Sequence, residues 1–511
     1  MPPKRTLSCL AAATAAAVGG SLSAQAVHLN PNGVGQALIY PYYTVRESAG
    51  ANAFNTYLTV VNTTSDAKAV RVRLREGRAA RPVLDFNLYL SPNDVWAGAV
   101  VPTAAGAQLL TADTSCTDPA FIPTGASTGP LSGNQPILGL ALHSNAYTGT
   151  NGDGSGDTLD RTREGYVEVI EMATLSGSSA AAVSHTAAGV PANCPAIRAT
   201  VGPIVGAPSG GLWGTLTLIN VNNGQDFTLD ATPLDGLTTR AFFRPPGDPY
   251  PDFNAQEIDP VSTVLAHGNA YRSLWSRPVD AVSAVLMRAS WATEYVLDAG
   301  TASLTDVVVA LPTRHHYVNA TTASPPFAAT LDWKADCGSG TQVGEVLPTV
   351  FFNREEQGAV DQGSNFPVPP TPNEPQRRLC AAAAVASVRN GSSQIPSDTT
   401  RTALLGSTTR GMSGGGAIGI NAGFQNGWLV MVPLRPGIQP LPPLVSQPAS
   451  TRTDLATGQV TPGSHSYVGL PVVGFGARSF ANGTLQCAAG SCQGNYGGAF
   501  PLRYFTAVAE P

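Results

Sequence analysis

The chain has few charged residues. Only 12% of its 511 residues are Asp, Glu, Lys or Arg, and the formal net charge is −5. Lysine is almost absent, because Lys4, Lys68 and Lys334 are the only three. Binding to nucleic acid or to an anionic membrane face depends on concentrated positive charge. The composition therefore argues against both of these partners.

The chain also lacks an apolar run of the roughly twenty residues that a membrane-spanning helix needs. Its longest uncharged apolar stretch, residues 7–18, follows Lys4 and Arg5 and precedes the small residues Ala24 and Ala26. A positive start, a short apolar region and a small-residue cleavage site are typical of a secretory signal peptide. We therefore expect residues 1–26 to be removed, so that the mature protein starts near Val27 and is secreted or held at the cell surface.

No C-x-x-C motif is present, and no cysteine pair has a histidine at zinc-finger spacing, which disfavours a redox pair or a zinc site. An even number of cysteines in an exported chain indicates disulfide bonds. The chain has seven cysteines, and six remain once Cys9 is removed with the leader. Six cysteines permit 15 pairings, and we predict sequential pairing because it keeps each loop within one module. The predicted bonds are Cys116–Cys194, Cys337–Cys380 and Cys487–Cys492.

Glycine (54 residues) and proline (42 residues) are abundant, and 43% of the chain is apolar. That apolar fraction is sufficient for packed cores, while the many turn-forming residues favour short strands. We therefore predict a mainly β fold, a multi-module antiparallel β-sandwich (Ig-like) architecture with few short helices. Removal of residues 1–26, which include the cations Lys4 and Arg5, leaves a mature chain of 485 residues with a net charge of −7.

Period-two alternation identifies individual strands. In residues 69–75, Val70, Val72 and Leu74 alternate with three arginines, which predicts a strand with one apolar face and one guanidinium face. Similar patterns occur at 56–62 and 84–90, and Asn223-Gly224 predicts a hairpin between 215–221 and 226–231. Residues 282–287 are also predicted to form a strand. Asp259 and Pro260 instead predict the start of a helix over 260–275, although Gly268 weakens it.

The mature chain is too long for one ordinary core. Turn-rich and proline-rich stretches place divisions near residues 205 and 325. The predicted organisation is a signal peptide (1–26), a β-sandwich module (27–205), a β-rich module (206–325) and a C-terminal β-rich module with Pro/Gly-rich loops (326–511).

One loop has the composition of a calcium site. Asp153, Asp157 and Glu164 lie in a Gly-rich stretch, with Glu164 twelfth from Asp153, and calcium prefers several carboxylate oxygens on one loop. However, Thr158 occupies the position of the tight-turn glycine of an EF-hand, and no helices flank the loop convincingly. We favour a solvated β-turn loop and predict no metal or other cofactor, with calcium as the alternative.

Two further patterns were weighed for catalysis or metal binding. Residues 411–415 match the G-x-S-x-G nucleophile pattern around Ser413, and Asp454 and His465 follow in the order of an α/β-hydrolase. The flanking residues favour neither a buried strand nor a helix, so catalysis there is disfavoured. His315 and His316 are interpreted as a strand or turn pair, because adjacent residues of an extended segment point to opposite faces.

Four segments carry a resemblance to known proteins. Residues 35–44, 85–92, 165–171 and 294–313 resemble a group of uncharacterised bacterial exported proteins described as cell-surface proteins. These segments span most of residues 33–317. The resemblance implies a surface location and supplies no catalytic residues.

These observations predict an exported cell-surface structural or adhesion protein that is non-catalytic. Its expected partners are other surface proteins or glycans, with self-assembly as a further expectation. Two alternatives stay open, an extracellular hydrolase acting on polysaccharide or ester bonds and a calcium-dependent glycan-binding module.

Overall fold

The computed structural model describes residues 25–48, 51–128, 134–154, 156–199, 205–330, 344–360, 378–390, 402–408, 417–420, 423–437, 439–487 and 490–510. The described residues are mostly β-strand, arranged in several antiparallel sheets with a sandwich-like architecture, which confirms the predicted fold class. The α-helices within these ranges are α1 (Gly177–Val183), α2 (Cys194–Ala199) and α3 (Pro278–Leu286). Single 3-10 turns occur at Gly149–Asn151, Leu159–Arg163, Val221–Asn223, Ala299–Thr301 and Arg314–His316.

Two eight-stranded sheets form the N-terminal half. The first, which we name the arginine sheet, contains the strand that carries Arg71, Arg73 and Arg75. Its strands lie in the order His28–Leu29, Thr232–Asp235, Ala37–Thr44, Glu164–Leu175, Ala67–Glu76, Pro82–Leu90 and Cys116–Asp118, with Val205–Gly206 paired to Glu164–Leu175.

The second sheet, which we name the threonine sheet, packs against the first. Its strands lie in the order Ile122–Ser127, Pro136–Ala141, Ala107–Thr111, Val95–Pro102, Asn55–Asn62, Thr215–Asn220 and Gln225–Asp230, with Leu212–Trp213 paired to Asn55–Asn62. Alternation places side chains such as Leu58, Val72 and Leu218 between the two sheets, where they are fully buried. Burial of each such side chain contributes about 1.5–3 kcal/mol.

Strands from both sides of residue 205 share these two sheets. Thr215–Asn220 pairs with Asn55–Asn62, and Thr232–Asp235 pairs with Ala37–Thr44. The N-terminal sandwich therefore extends to Asp235, and the division predicted at 205 falls between strands of one structural unit. The division predicted at 325 likewise falls between strands of shared sheets, because Leu304–Ala310 pairs with Val473–Cys487.

The C-terminal half contains two five-stranded sheets. One has the order Gly358–Val360, Thr349–Asn353, Asn426–Met431, Ser290–Val296 and Arg503–Phe505. The other has the order Ala417–Ile420, Ala383–Asn390, Leu304–Ala310, Val473–Cys487 and Gly490–Pro501, and its first two strands are parallel. The sheets approach closely at Gly476, where an added Cβ would collide with Thr293 Oγ1.

Smaller sheets complete the fold. A four-stranded sheet has the order Val261–Ala266, Asn269–Leu274, Thr451–Asp454 and Val460–Pro462. Three further pairs of strands are Met287–Arg288 with Leu470–Pro471, Glu345–Val346 with Arg378–Leu379, and Glu47–Ser48 with Ala51–Ala53. A three-stranded sheet has Ser466–Val468 at its centre, paired with Leu444–Val445 on one side and Ala507–Ala509 on the other.

The two halves are joined directly. One hydrophobic cluster runs through both of them. Backbone hydrogen bonds also cross, with Ala382 N donating to Arg78 O at 3.0 Å and Ala383 N donating to Gly77 O at 2.8 Å. This continuity holds the arginine sheet against the C-terminal half.

The helix predicted over 260–275 is wrong. Val261–Ala266 and Asn269–Leu274 form a hairpin whose turn is His267-Gly268, with φ of 49° and 76°. Two consecutive positive φ values are typical of a tight hairpin turn and incompatible with a right-handed helix. The strand predicted at 282–287 is wrong as well, because most of it belongs to α3. Pro278 occupies the first turn of that helix, and a short run of buried apolar residues does not distinguish helix from strand.

Candidate functional site

The disulfide between Cys116 and Cys194 is present, with Cα atoms 5.2 Å apart. It ties α2 to the edge of the arginine sheet and confirms one of the predicted pairs. Cys380 is also disulfide-bonded. Its predicted partner Cys337, and the side chains of Cys487 and Cys492, lie outside the described residues.

The three calcium candidates do not converge on one point. Asp153 accepts two hydrogen bonds from the Arg161 guanidinium, at 2.7 and 2.8 Å. Glu164 is 2.9 Å from Arg46 Nε and accepts from Tyr42 Oη at 2.7 Å, whereas Asp157 is exposed. Within the described ranges there is no group of three or more metal-binding side chains. Arginine cations thus neutralise the two carboxylates that the calcium alternative needed.

Of the three residues of the predicted hydrolase pattern, Asp454 and His465 have partners of their own. Ser413 lies outside the described residues. Asp454 accepts hydrogen bonds from the backbone N–H of Thr457 and Ala456, both at 2.9 Å, and these bonds lower the pKa of its carboxyl. His465 is buried, and its Nδ1 lies 2.9 Å from Ser273 Oγ. The Asp454 carboxylate therefore stabilises a turn, and the His465 imidazole makes a contact in the core.

His315 and His316 form a turn pair, which agrees with the predicted strand or turn, but their rings do not point to opposite faces as in an extended segment. They lie in the Arg314–His316 turn, and their ring centroids are 4.0 Å apart. Burial lowers the pKa of His316 to about 3, and the charges of Arg75, Arg277 and Arg73 act in the same direction. Burial, followed by His316, Arg75 and Arg73, also holds the pKa of His315 well below its usual value. The pair is therefore neutral at physiological pH and lies in a cationic environment that disfavours a metal ion.

The guanidinium face predicted for residues 69–75 is buried. Arg71 and Arg73 both pair with Asp85, and Arg75 lies 2.7 Å from Glu168. Backbone carbonyls of residues 244–251 cover this face, since Arg71 Nη2 donates to Pro245 O at 2.8 Å. The arginines are at most 5% exposed. The strand was predicted correctly, but both of its faces are covered.

The outward face of the threonine sheet carries charge only at one edge strand. Six of the seven strands in its main order contain no Asp, Glu, Lys or Arg, and only Gln225–Asp230 at one edge carries two aspartates. Tyr57 is 46% exposed, Val95 51% and Trp213 38%. A typical protein surface is about 25–35% charged, so this sheet face differs strongly from an ordinary solvent face.

Cross-strand pairing defines how these outward side chains are arranged. Tyr57 lies between Ala99 and Thr217, so its ring has small neighbours on both sides. Val61, four residues further along the strand, pairs with Trp213, which places the two aromatic residues about 14 Å apart along the strand. Threonine hydroxyls pair across strands at 3.1 Å (Thr59 with Thr215) and 2.9 Å (Thr217 with Thr228).

We name this surface the outer threonine face, and its outward residues include Tyr57, Thr59, Val61, Val95, Ala97, Ala99, Leu110, Trp213, Thr215, Thr217 and, on the edge strand, Asp226, Thr228 and Asp230. Apart from Trp213, these residues lie on five adjacent strands, which at the usual spacing gives a width of roughly 20 Å. Aromatic rings with hydroxyls beside them offer both apolar contact and hydrogen bonding. The uncharged strand segments are visible in the sequence, but the sheet that brings them together is not.

The comparisons with known proteins identify no relative of this chain. No family model matches the chain, and neither a curated protein nor a solved structure matches it. Within the described residues, no helix has the length and apolar character needed to span a bilayer.

Proposed function

We propose that this chain is an exported, non-catalytic cell-surface protein that adheres to neutral polysaccharide through the outer threonine face. The observation that carries the proposal is the contrast between its two N-terminal sheets. The charged face of the arginine sheet is covered by other parts of the chain, whereas the threonine sheet exposes Tyr57 and Trp213 on a face whose charges are confined to one edge strand. Exposed aromatic and apolar side chains grouped on one sheet face are typical of interaction sites.

The chemistry of the outer threonine face favours glycans over other partners. A pyranose ring presents C–H groups on its faces and hydroxyls at its edges. Tyr57 and Trp213 offer apolar ring surface, and Thr217 and Thr228 offer hydroxyls. Because the central strands carry no charge, a neutral polymer fits better than an anionic one. The aromatic spacing of about 14 Å along the strand suits an extended chain rather than a single sugar.

Export is supported independently by the sequence and the disulfide. The leader-like residues 1–26 have the organisation of a signal peptide, and Cys116–Cys194 is a bond that persists in oxidising compartments. Material recovered from outside the producing cell is expected to start at Val27. Protein confined to the cytoplasm, with Met1 retained and its cysteines reduced, would contradict export.

Co-sedimentation with insoluble cellulose, chitin and β-1,3-glucan tests the adhesion. The wild-type mature chain is expected to sediment with at least one of these neutral polymers. Replacement of Tyr57 and Trp213 by alanine should weaken that binding at least tenfold. Trp428→Ala is the matched control, because Trp428 is 43% exposed on a C-terminal sheet.

A second pair of variants tests the role of the uncharged surface. Val95 is 51% exposed on the outer threonine face, and Val460 is 57% exposed on the four-stranded sheet. Val95→Glu is expected to reduce binding, whereas Val460→Glu is not. If the wild-type chain binds none of the three polymers, or if Val95→Glu and Val460→Glu weaken binding equally, the proposal is wrong.

A further inference from the structure

A second, unrelated surface has the features of a small-molecule site. A groove with a volume of about 730 Å³ lies between the N-terminal segment, the Val261–Leu274 hairpin, α3 and the C-terminal segment. This volume falls within the range of about 300–1,000 Å³ that is usual for small-molecule pockets. Most of its lining is apolar, including Leu29, Val264, Leu265 and Val285. We name it the N-terminal groove.

One lining residue is a buried arginine without a carboxylate. Arg288 is 7% exposed. Its Nη1 donates to Met287 O at 2.9 Å and contacts Thr506 Oγ1 at 3.4 Å, and the guanidinium lies 4.8 Å from the centroid of the Tyr504 ring. Its Nε is buried without any hydrogen-bond partner. No ion pair of Arg288 with an acidic side chain is found within the described residues.

Such an arginine is costly for the folded protein. An unpaired buried cation is strongly destabilising, and buried charges are normally paired with an opposite charge. Burial lowers the pKa of the Arg288 guanidinium, and no carboxylate offsets this. The other buried arginines show the usual solution, for example Arg75 with Glu168 and Arg161 with Asp153. Arg288 instead lines a groove that a ligand can enter.

The charge of the lining points to the sign of that ligand. Among the described residues that line the groove, Arg272 and Arg288 are cationic and none is Asp or Glu. Because the whole chain is acidic, a local lining of this sign does not follow from composition. A guanidinium recognises carboxylate or phosphate oxygens through paired N–H donors.

We propose that the N-terminal groove binds an amphiphile with an anionic head and an apolar chain. The head, a carboxylate or a phosphate, pairs with Arg288 and supplies the negative charge that the fold omits. The apolar chain lies along Val264, Leu265 and Val285. This site is distinct from the outer threonine face and does not depend on the glycan proposal.

Removal of the leader bears on the same groove. Gln25 and Ala26 belong to its lining, and the predicted processing ends at Ala26. Val27 stays in place through its N–H bond to Val261 O at 2.8 Å. Loss of Gln25 and Ala26 widens the mouth of the groove, so the mature chain is expected to bind at least as tightly as a chain that starts at Gln25.

Isothermal titration of the mature chain with dodecanoate and dodecyl phosphate tests the proposal. Saturable binding of at least one of them at one site is expected. Dodecyltrimethylammonium and dodecanol, which lack the anionic head, and acetate and inorganic phosphate, which lack the chain, should bind at least tenfold more weakly. A preference for dodecanoate or for dodecyl phosphate distinguishes a carboxylate from a phosphate ligand.

Two variants locate the site. Leu265 is 69% exposed at the groove, so Leu265→Glu adds a negative charge there without disturbing the core, and it should weaken binding at least tenfold. Val460→Glu, on the same four-stranded sheet but outside the groove, should not. Arg288→Met should abolish the preference for the anionic head and, if it folds, raise the melting temperature of the ligand-free protein. Absence of saturable binding, or equal binding of dodecanol and dodecanoate, would overturn the proposal.

Discussion

Lys68 and Glu171 form an ion pair in which neither side chain has any exposed surface. The Nζ–Oε1 distance is 2.7 Å, and Lys68 also donates to Ser209 Oγ at 2.6 Å. Glu171 accepts the backbone N–H groups of Ser209 and Gly210, at 2.9 and 2.8 Å. Burial raises the pKa of the Glu171 carboxyl, and the charge of Lys68 opposes this. The pair thus fixes the segment that leads from one sheet of the N-terminal sandwich to the other.

Breaking this pair on one side is expected to be more damaging than removing both charges. Lys68→Met leaves the Glu171 carboxylate buried without its cation, which should lower the free energy of unfolding by about 3–5 kcal/mol. The double variant Lys68→Met/Glu171→Gln should lose less than Lys68→Met alone. Urea denaturation of the wild type, both single variants and the double variant measures this coupling. Additive losses would show that the two charges do not interact.

The Cys116–Cys194 bond should contribute strongly to stability. It closes a loop of 78 residues, and restricting the unfolded chain over such a length corresponds to about 4 kcal/mol. Cys116→Ala/Cys194→Ala is therefore expected to unfold at a lower urea concentration, with a steeper slope because its unfolded chain is less compact. The single variant Cys194→Ala should lose a comparable amount. Equal midpoints for the wild type and the double variant would contradict this expectation.

The neutral histidine pair predicts a loss of stability in acid. In the folded protein burial lowers the pKa of His316 to about 3 from an ordinary 6.5, and the pKa of His315 is lowered in the same direction. Below pH 6.5 the unfolded chain binds protons that the folded chain does not. The contribution of the neutral pair to the free energy of unfolding is therefore fully present above pH 6.5. It is lost as the pH falls toward 3, by at most about 1.4 kcal/mol per pH unit for each histidine.

Thermal unfolding between pH 7.5 and 4.5 measures this effect. His315→Asn/His316→Asn is expected to have a shallower decline in melting temperature than the wild type, whatever its stability at pH 7.5. Comparison of the two proteins cancels the contribution of the carboxylates. His267→Asn replaces an exposed histidine and serves as the control, with a pH dependence like that of the wild type. Parallel pH profiles for all three proteins would contradict the interpretation.

The alternation of residues 69–75 shows which structural properties a local sequence pattern can predict. It correctly separates Arg71, Arg73 and Arg75 from the apolar side chains of the same strand. It does not report what lies over the arginines, because Arg71 is covered by Pro245, 174 positions away. Sidedness is a local property of a strand, whereas exposure depends on the packing of distant segments.

The two surfaces of interest differ in the same way. Part of the outer threonine face can be predicted before the fold is known, because six strand segments of its sheet contain no charged residue. The N-terminal groove could not be predicted from the sequence, because no periodic pattern links the residues that line it. These residues lie at 25–31, 263–272, 285–288 and 506. Arg288 becomes notable only in the structure, where no acidic side chain among the described residues pairs with it.

The hairpin at 261–274 offers a direct test of why the helix prediction was wrong. Gly268 has φ of 76° and no neighbour near the position of a Cβ, so Gly268→Val introduces backbone strain without a steric clash. A β-branched residue at positive φ should lower the free energy of unfolding by about 1–2 kcal/mol. His267→Asn, at φ of 49°, creates an Asn-Gly turn and should leave stability unchanged or raise it slightly. If residues 260–275 instead favoured a helix, Gly268→Val would be neutral or stabilising in the same urea titration.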